Sequence, residues 1–249
     1  MLRRQLHAWH ARLGSNVKFP LPLTPLRMIK ATFVPHDLHA YQLLLPLRLQ
    51  MPDEPRVQLE FLESSPGWCE ASVSLACKHG DSEGWYGLYW PIDSYVGYKL
   101  GRLVGYPKHL VRRMPMWDDG HAVRAQVVRG GRSEFSLALC LSSRGAPVSR
   151  LARGLVGPER ERPWYLQVPP EQGPSLNRLT YSEVEPLQTR ISYGELQLSD
   201  CEHHRWSSLL PRDGRVPDAA LIERSGLGFG WLVAKQVAGQ RTGYLAIQP

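Results

Sequence analysis

The chain has 249 residues, of which 43% are hydrophobic and 21% are charged, and its formal net charge is +7. This balance is typical of a folded globular protein and excludes a disordered or low-complexity chain. No run approaches ~18 consecutive apolar residues, which excludes a transmembrane helix. Only six of the 30 basic residues are lysines, so each lysine stands out against an arginine-rich background.

The positive charge is spread along the chain and never forms a long block of like charges. Such a balance is compatible with nucleic acid or an anionic membrane surface as a partner, and it would also attract a small anionic substrate. No RNA-binding signature accompanies the arginines. We therefore interpret them as a solvated basic surface and expect neither a nucleic-acid nor a membrane partner.

The first 36 residues contain no acid, and apolar residues recur there at helical spacing, at Leu2, Leu6, Trp9 and Leu13. Such a start resembles a mitochondrial transit segment, and it also suits a short surface helix packed on the body of a bacterial protein. We favour the surface helix, because serine is scarce and the acid-poor composition continues past any plausible cleavage point. The chain is accordingly divided into an N-terminal basic segment, 1–19, and one domain, 20–249.

The first half of the domain contains one predicted helix and several predicted strands. The helix covers 36–45, where a histidine and an aspartate precede a helical pattern of apolar residues. Val73, Leu75 and Cys77 alternate with polar neighbours, which predicts a strand. Two further alternating runs flank a Gly-Gly pair and predict a β-hairpin over 121–142.

The second half continues the β pattern. A segment rich in Pro, Gly and Arg, 157–176, is predicted to be a long surface excursion. Apolar alternation from Ile191 to Leu198 predicts a strand with a bulge at Gly194. We predict a second helix from Cys201 to Leu210. Because no linker is polar enough to divide the chain, the pattern favours one mainly β domain with few and short helices.

Cysteine usage and metal-ligand spacing exclude the common zinc motifs. None of the four cysteines lies in CxxC spacing, and Cys77 and Cys140 fall in apolar runs that suit buried free thiols. Without a signal peptide, the reducing cytoplasm is the expected compartment. Glu202-His203-His204 offers ligands, but three consecutive side chains point in different directions, so we predict no metal site.

The most informative segment runs from Gly101 to Leu110 and reads GRLVGYPKHL. Two glycines and a proline fix a sharp turn directly before Lys108. Apolar and aromatic neighbours would remove water from its ammonium group, and His109 would add a second positive group. Both effects lower the pKa of a lysine and make the neutral amine available as a nucleophile. Taken alone, the motif is also compatible with an ordinary solvent-facing turn lysine.

This segment resembles the signature of the acetoacetate decarboxylase family, in which a Gly-Arg pair and an aromatic-Pro-Lys element carry a Schiff-base lysine. Four residues fit it, and Asp93 precedes them at a family-like interval: Gly101, Arg102, Pro107 and Lys108. The likeness extends over about residues 20–230 through weaker elements, namely Leu45-Pro46, Val57 to Phe61, Trp68-Cys69-Glu70, Arg162 to Pro169 and Gly194 to Leu198. It implies a mainly β (α+β) fold, an antiparallel β-barrel-like single domain with a few short helices around a central apolar pocket, and a homo-oligomer.

The resemblance also implies roles for individual residues. Lys108 would form an imine with a ketone, and the protonated imine would withdraw electrons until a neighbouring carbon–carbon bond breaks. Glu70 and Glu60 would move protons or position the substrate. Arg27 would hold a substrate carboxylate, and Arg102 belongs to the same substrate site. The two glutamates and Arg27 could instead face solvent.

Two positions depart from the family pattern, because His109 replaces a second lysine and Leu103 replaces a glutamate. Imidazole is a competent acid or base near neutral pH, so His109 joins Lys108 and Glu70 as a predicted catalytic residue. The predicted reaction is decarboxylation of a small-molecule β-keto acid or related ketone, without a cofactor. The alternatives are an imine-dependent aldolase or dehydratase acting on a keto acid, and a non-catalytic ligand-binding member of the same fold.

Overall fold

Fourteen β-strands and two α-helices make up most of the described part of the chain. The structure is a computed structural model that describes residues 16–23, 25–47, 49–64, 67–103, 106–142, 165–167, 176–183, 188–225 and 228–238. The strands are β1 (Asn16–Leu23), β2 (Leu26–Phe33), β3 (Val57–Ser64), β4 (Trp68–His79), β5 (Ser82–Ile92), β6 (Lys108–Leu110), β7 (Met116–Asp118), β8 (Val123–Arg129), β9 (Arg132–Leu141), β10 (Tyr165–Gln167), β11 (Leu176–Glu183), β12 (Gln188–Ser199), β13 (Arg215–Ser225) and β14 (Gly228–Ala238). The helices are α1 (Leu38–Leu44) and α2 (Tyr95–Leu103), and a short 3-10 helix covers Ser207–Leu209.

All fourteen strands belong to one curled sheet. Its order is β1-β14-β11-β10-β5-β4-β3-β2-β13-β12-β9-β8-β7, and β6 adds to β5. The described pairings are antiparallel except for β10 with β5 and β5 with β6. No helix among the described residues is both long and apolar enough to cross a membrane. The prediction of a mainly β, largely antiparallel single domain is confirmed.

The predicted helix near residue 40 and the predicted hairpin are both present. Asp37 caps α1, and its Oδ1 accepts a hydrogen bond from the backbone N–H of Ala40 at 2.9 Å, which satisfies one of the unpaired donors of the first turn. The β8–β9 hairpin turns at Gly130 and Gly131, whose φ angles of 58° and 79° are readily adopted only by glycine. A register shift between β12 and β13 lies next to Gly194, but Gly194 pairs with Ala219 and Leu196 with Val216, so the extra residue is on β13 and not at Gly194 as predicted.

The central strands separate two different environments, since successive side chains of a strand point to opposite faces. One face of β2, β3 and β4 packs into the main apolar core, where Ile29, Phe61 and Val73 are buried together with Tyr41 of α1. The other face of the same strands carries charged and hydroxyl side chains, described below. Residues two apart on these strands therefore share an environment, while neighbours do not.

The predicted helix over Cys201–Leu210 is wrong. This segment forms a series of tight turns in which Ser207 N–H donates to His204 C=O, and only Ser207–Leu209 is helical, as a 3-10 turn. The rings of His204 and Trp206 stack with their centres 4.9 Å apart. Two rings spaced two residues apart face different sides of an α-helix, so packing them together requires a different backbone.

The predictions for the cysteines, the 157–176 excursion and the N-terminal segment are only partly confirmed or lie outside the described residues. Cys77 is buried, but Cys140 is exposed, because it lies on the face of β9 opposite Leu139. The predicted excursion over 157–176 contains strand β10, which pairs with β5 and β11, and its remainder lies mostly outside the described residues. The predicted N-terminal helix also lies outside them. The predicted domain boundary after residue 19 falls inside β1, which pairs with β14 along its length.

Candidate active site

Lys108 is the first residue of β6, where it pairs with Trp90 of β5. Two backbone hydrogen bonds shape the turn before it, from Tyr106 N–H to Gly101 C=O at 2.9 Å and from Lys108 N–H to Tyr106 C=O at 2.7 Å. A Cβ on Gly101 would overlap Cδ and Cε of Lys108 and would lie 3.0 Å from its Cγ. The first glycine of the motif therefore leaves the space in which the lysine stem lies.

The amine of Lys108 contacts a carboxylate. Its Nζ lies 2.5 Å from Oε2 of Glu70, and the two side chains are only 10% and 14% exposed. The same Nζ lies 5.6 Å from the centre of the Tyr106 ring. Charges removed from water interact more strongly than a surface pair does. The structure thus brings together Lys108 and Glu70, two of the three predicted catalytic residues.

A second lysine–glutamate pair lies on the same face. Lys30 of β2 and Glu60 of β3 are opposite each other in register, and Nζ lies 3.1 Å from Oε1, with side chains 12% and 16% exposed. Ser72 of β4 donates a hydrogen bond to the other oxygen of Glu60 at 3.2 Å. Since Ser72 is two residues from Glu70, the two ion pairs occupy neighbouring positions on one face of the sheet.

An aromatic wall adjoins Lys108. The rings of Trp90 and Tyr106 meet edge to face with their centres 4.4 Å apart, and a Cβ on Gly87 would lie 3.0 Å from the Trp90 ring. Burial raises the pKa of the Tyr106 phenol, and the negative charges of Glu70 and Glu60 raise it further. The phenol therefore stays neutral and retains its proton for hydrogen bonding.

Asp93 anchors the strand ends beside this wall. Its Oδ1 accepts a hydrogen bond from the backbone N–H of Cys69 at 2.7 Å, and its own N–H donates to the Cys69 carbonyl at 3.1 Å. Burial raises the pKa of Asp93. These bonds tie the end of β5 to β4 one residue before Glu70, which gives Asp93 a supporting position in the site.

His109 lies on the opposite face of β6 from Lys108. Its ring is stacked on Tyr89, with the ring centres 5.4 Å apart, and Tyr89 belongs to the main apolar core. Burial lowers the pKa of His109, and the positive charges of Arg129 and Arg102 lower it further. Arg102 is half-buried at the end of α2. The structure does not bring His109 to the amine of Lys108, because neighbouring residues of a strand point apart.

Arg27 also lies away from Lys108. It is three residues from Lys30 on β2, on the other face, with its guanidinium 3.9 Å from Glu63 and 3.7 Å from Glu223. It lines an open cleft of about 730 Å³ near the ends of β2, β3 and β13. Alternation on the strand brings Lys30, and not Arg27, to the face that carries Lys108.

The described residues contain no group of three or more His, Cys, Asp or Glu side chains arranged to hold a metal ion. In the segment considered from sequence, the ring Nε2 of His204 lies 3.1 Å from the carbonyl of Glu134. The ring is engaged in packing against Tyr89 and Trp206.

Comparison with solved structures identifies the architecture. Acetoacetate decarboxylase from Legionella pneumophila aligns with a TM-score of 0.67 and 14% identity, over 91% of this chain and 90% of that chain. The chain has the acetoacetate decarboxylase-like fold. The resemblance inferred from the sequence is thereby confirmed for the fold.

Two further matches have the same fold. An acetoacetate decarboxylase-like enzyme from Sphingomonas wittichii RW1 aligns with a TM-score of 0.58 and 19% identity, over 90% of this chain and 94% of that chain. The enduracididine biosynthesis enzyme MppR complexed with pyruvate aligns with a TM-score of 0.59 and 13% identity, over 86% and 89%. MppR also matches in a complex with the condensation product of pyruvate and imidazole 4-carboxaldehyde, with a TM-score of 0.52 and 15% identity, over 85% and 87%. No family model matches the chain, and no curated protein matches it.

Sequence reasoning missed Lys30 and Ser72. The scarcity of lysine was the available signal for Lys30, because it is one of only six in the chain. For Ser72 the signal was its spacing of two residues from Glu70. Both signals need the register between β2, β3 and β4 before they indicate a shared site.

Proposed function

We propose that the chain is a Schiff-base enzyme in which Lys108 forms an imine with the carbonyl carbon of a β-keto acid or related ketone, and that it decarboxylates this substrate. The observation that carries the proposal is the Lys108–Glu70 contact of 2.5 Å, on a buried face next to an aromatic wall. An amine held away from water beside a carboxylate has both a nucleophile and a proton acceptor in place. The acetoacetate decarboxylase-like fold supports the same chemistry.

The reaction follows from these two groups. Glu70 takes a proton from the Lys108 ammonium, and the neutral amine attacks the ketone. Loss of one water molecule gives the protonated imine, which accepts the electron pair of the neighbouring carbon–carboxylate bond as carbon dioxide leaves. The resulting enamine takes a proton on carbon, and one water molecule hydrolyses the imine and restores the amine. We assign the return of the proton at these steps to Glu70, because it contacts the amine of Lys108.

Lys30 is the candidate for holding the substrate carboxylate. It is a cation on the Lys108 face, whereas Arg27 is paired with two glutamates on the other face. Glu60 contacts the Lys30 ammonium group at 3.1 Å, and Ser72 donates to the other oxygen of Glu60 at 3.2 Å, which fixes the position of this carboxylate. We therefore assign to Lys30 the role that the sequence suggested for Arg27, and keep Glu60 as a positioning residue. Arg102 remains a predicted substrate-site residue on α2.

The test is reductive trapping. The protein is incubated with acetoacetate, borohydride is added, and the modified peptide is located by mass spectrometry while carbon dioxide release is measured. We expect one adduct, on Lys108, together with carbon dioxide. Lys108→Arg keeps the positive charge against Glu70 and should abolish the adduct, while Lys99→Arg, at an exposed position on α2, should leave it unchanged. An adduct on Lys99 and not on Lys108 would contradict the proposal.

The Glu70→Gln variant tests whether Glu70 is the proton acceptor in the reaction. It keeps the size of the side chain and removes the proton acceptor, so we expect turnover to fall by about 10²-fold or more. Because breaking a buried ion pair can destabilise the fold, urea unfolding of the variant must accompany the kinetics. Wild-type turnover in a folded Glu70→Gln variant would remove Glu70 from the mechanism.

A second candidate is aldolase or dehydratase chemistry through the same imine. It is favoured by the match to MppR, whose complexes contain pyruvate and a condensation product of pyruvate. Trapping distinguishes it, because an adduct of Lys108 with acetoacetate without carbon dioxide release opposes decarboxylation and supports condensation, while an adduct with pyruvate shows only that Lys108 forms an imine with this acid. A non-catalytic ligand-binding role predicts no adduct with either acid. Association into a homo-oligomer stays a prediction, tested below.

A further inference from the structure

Among the described residues, nearly all buried polar and charged side chains lie on one face of the central strands. The described residues include seven buried polar or charged side chains, and six of them lie on the face that carries the active site: Thr32, Gln58, Ser64, Ser72, Ser74 and Lys108. The seventh, Asp218, lies on β13. The opposite face of the same strands is filled by apolar residues. This separation indicates that the active-site face is built for polar contacts.

Three of these side chains form a row beyond the ion pairs. Thr32 of β2 is opposite Gln58 of β3, and Gln58 is opposite Ser74 of β4. They are 5%, 2% and 0% exposed. We name this set the polar row. It lies two residues past the Lys30–Glu60–Ser72 positions on each strand, away from Glu70.

The hydroxyl of Ser74 is the decisive member of the polar row. Its Oγ is fully buried and has no hydrogen-bond partner among the residues that the structure describes. The Thr32 hydroxyl, by comparison, donates to the Val57 carbonyl at 3.2 Å. A buried hydroxyl without a partner costs free energy, so its native partner has to be accounted for, either as a buried water molecule or as a ligand group that supplies the missing bond. Ser74 therefore points to a polar ligand group at this position.

The length of that ligand follows from strand geometry. Ser74 is four residues from Glu70 on β4, so the Cα atoms of the two residues lie about 13 Å apart. Glu70 marks the position of the amine, because it contacts Nζ of Lys108. After about 3 Å for a hydrogen bond, about 10 Å remains, which an extended chain of about eight atoms spans. Along this path the Trp90 ring, which lies against Gly87, offers an apolar surface to methylene groups. Gly87 itself is opposite Ser74 in register.

We propose that the ketone bound by Lys108 carries a neutral hydrogen-bonding group, such as a hydroxyl, about eight chain atoms from the amine, and that Ser74 and Gln58 bind this group. The inference rests on the proposed Schiff-base function of Lys108. It makes the substrate a medium-length hydroxylated ketone or keto acid with an apolar middle. A short unsubstituted ketone would react at the amine without reaching the polar row.

The experiment compares two linear methyl ketones of about eight chain atoms, identical except that one ends in a hydroxyl group and the other in a methyl group. Borohydride trapping on Lys108 is measured against ketone concentration, with acetone as the short control. We expect half-maximal trapping at about tenfold lower concentration for the hydroxyl-ended ketone, the value of one buried hydrogen bond. Acetone should be trapped without any dependence on the polar row.

Ser74→Ala and Gln58→Leu test the two residues. Each should reduce the preference for the hydroxyl-ended ketone several-fold and leave acetone trapping unchanged. Ser64→Ala is the matched control, since Ser64 is a buried serine on the same face at the other end of β3. Ser74→Ala removes a hydroxyl without a partner and should not weaken the fold, so it remains informative if Gln58→Leu unfolds.

The outcomes distinguish the two proposals. Equal trapping of both long ketones, or a preference that survives Ser74→Ala and Gln58→Leu, overturns the polar-row inference and leaves the Schiff base intact. Loss of the preference in Ser64→Ala alone also overturns it, because the polar end would then lie in the other direction. Failure of all three ketones to form an adduct on Lys108 overturns the Schiff-base function and this inference with it.

Discussion

Gly101→Ala adds one methyl group where the Lys108 side chain passes α2. The added Cβ would overlap Cδ and Cε of the lysine, with Cγ at 3.0 Å. Lys108 must therefore retreat by about 1 Å to regain ordinary van der Waals contact. Its Nζ is held at 2.5 Å from Glu70, so the same shift breaks that contact or moves both groups.

The expected effect on reactivity is large, and the effect on helix stability is small. Misplacing a reacting group by about 1 Å costs about 10²-fold in rate, which corresponds to about 2.7 kcal/mol in the barrier. Alanine in place of a helical glycine gains about 0.5–1 kcal/mol of stability when its methyl group is accommodated. Gly101→Ala should consequently remain folded while reacting slowly.

The assay is the rate of borohydride-trapped adduct on Lys108 with acetone or acetoacetate, together with urea unfolding. Gly97→Ala is the matched control on the same helix, because its Cβ would lie 2.6 Å from Cδ1 of Ile92 and not against the lysine. We expect Gly97→Ala to lower stability with a near-normal trapping rate in the folded fraction. Trapping by Gly101→Ala at the wild-type rate would refute the inferred packing of Lys108.

Three further predictions concern charge, pH and assembly. Lys30→Gln should raise KM for acetoacetate about tenfold with little change in acetone trapping, because only the keto acid presents a carboxylate. Arg27→Gln is the control and should change neither quantity. An effect seen only in Arg27→Gln would return the carboxylate-binding role to Arg27. The free energy of unfolding should fall as the pH drops below about 6.5, because the pKa values of His109 and His204 are lowered in the folded chain and the unfolded chain then binds more protons. Urea midpoints at about pH 7.5 and about pH 5.5 measure this effect, and a higher midpoint at the lower pH would contradict it. Val96→Glu, at an exposed apolar position on α2, should reduce the molar mass of a homo-oligomer in light scattering, and an unchanged mass would exclude this helix from the interface.

Local sequence signals predicted those elements whose cause is local. Asp37 predicts the start of α1 because a carboxylate at that position accepts from the first helical turn. Gly130 and Gly131 predict the hairpin because only glycine readily adopts two successive positive φ angles. The segment over Cys201–Leu210 misled the same reasoning, since its backbone is set by stacking of His204 on Trp206 and not by helix propensity.

The candidate active site was likewise predictable only where its residues are neighbours in sequence. Gly101, Pro107 and Lys108 are neighbours in sequence; their arrangement predicted a nucleophilic lysine, and the family resemblance implied imine chemistry for it. Lys30 and Glu70 are distant in sequence and share a face only through the pairing of β2, β3 and β4. A shift of one residue in that register would turn each side chain into the opposite environment.

The sequence by itself therefore predicted a mainly β domain, several of its turns and caps, and Lys108 as the candidate reactive residue. Only the tertiary structure decided which other residues accompany Lys108. It placed Lys30 and the polar row on the face that carries Lys108, and Arg27 and His109 on the other. The physical reason is the two-residue alternation of strands, because strand register decides which of two adjacent side chains reaches the active site.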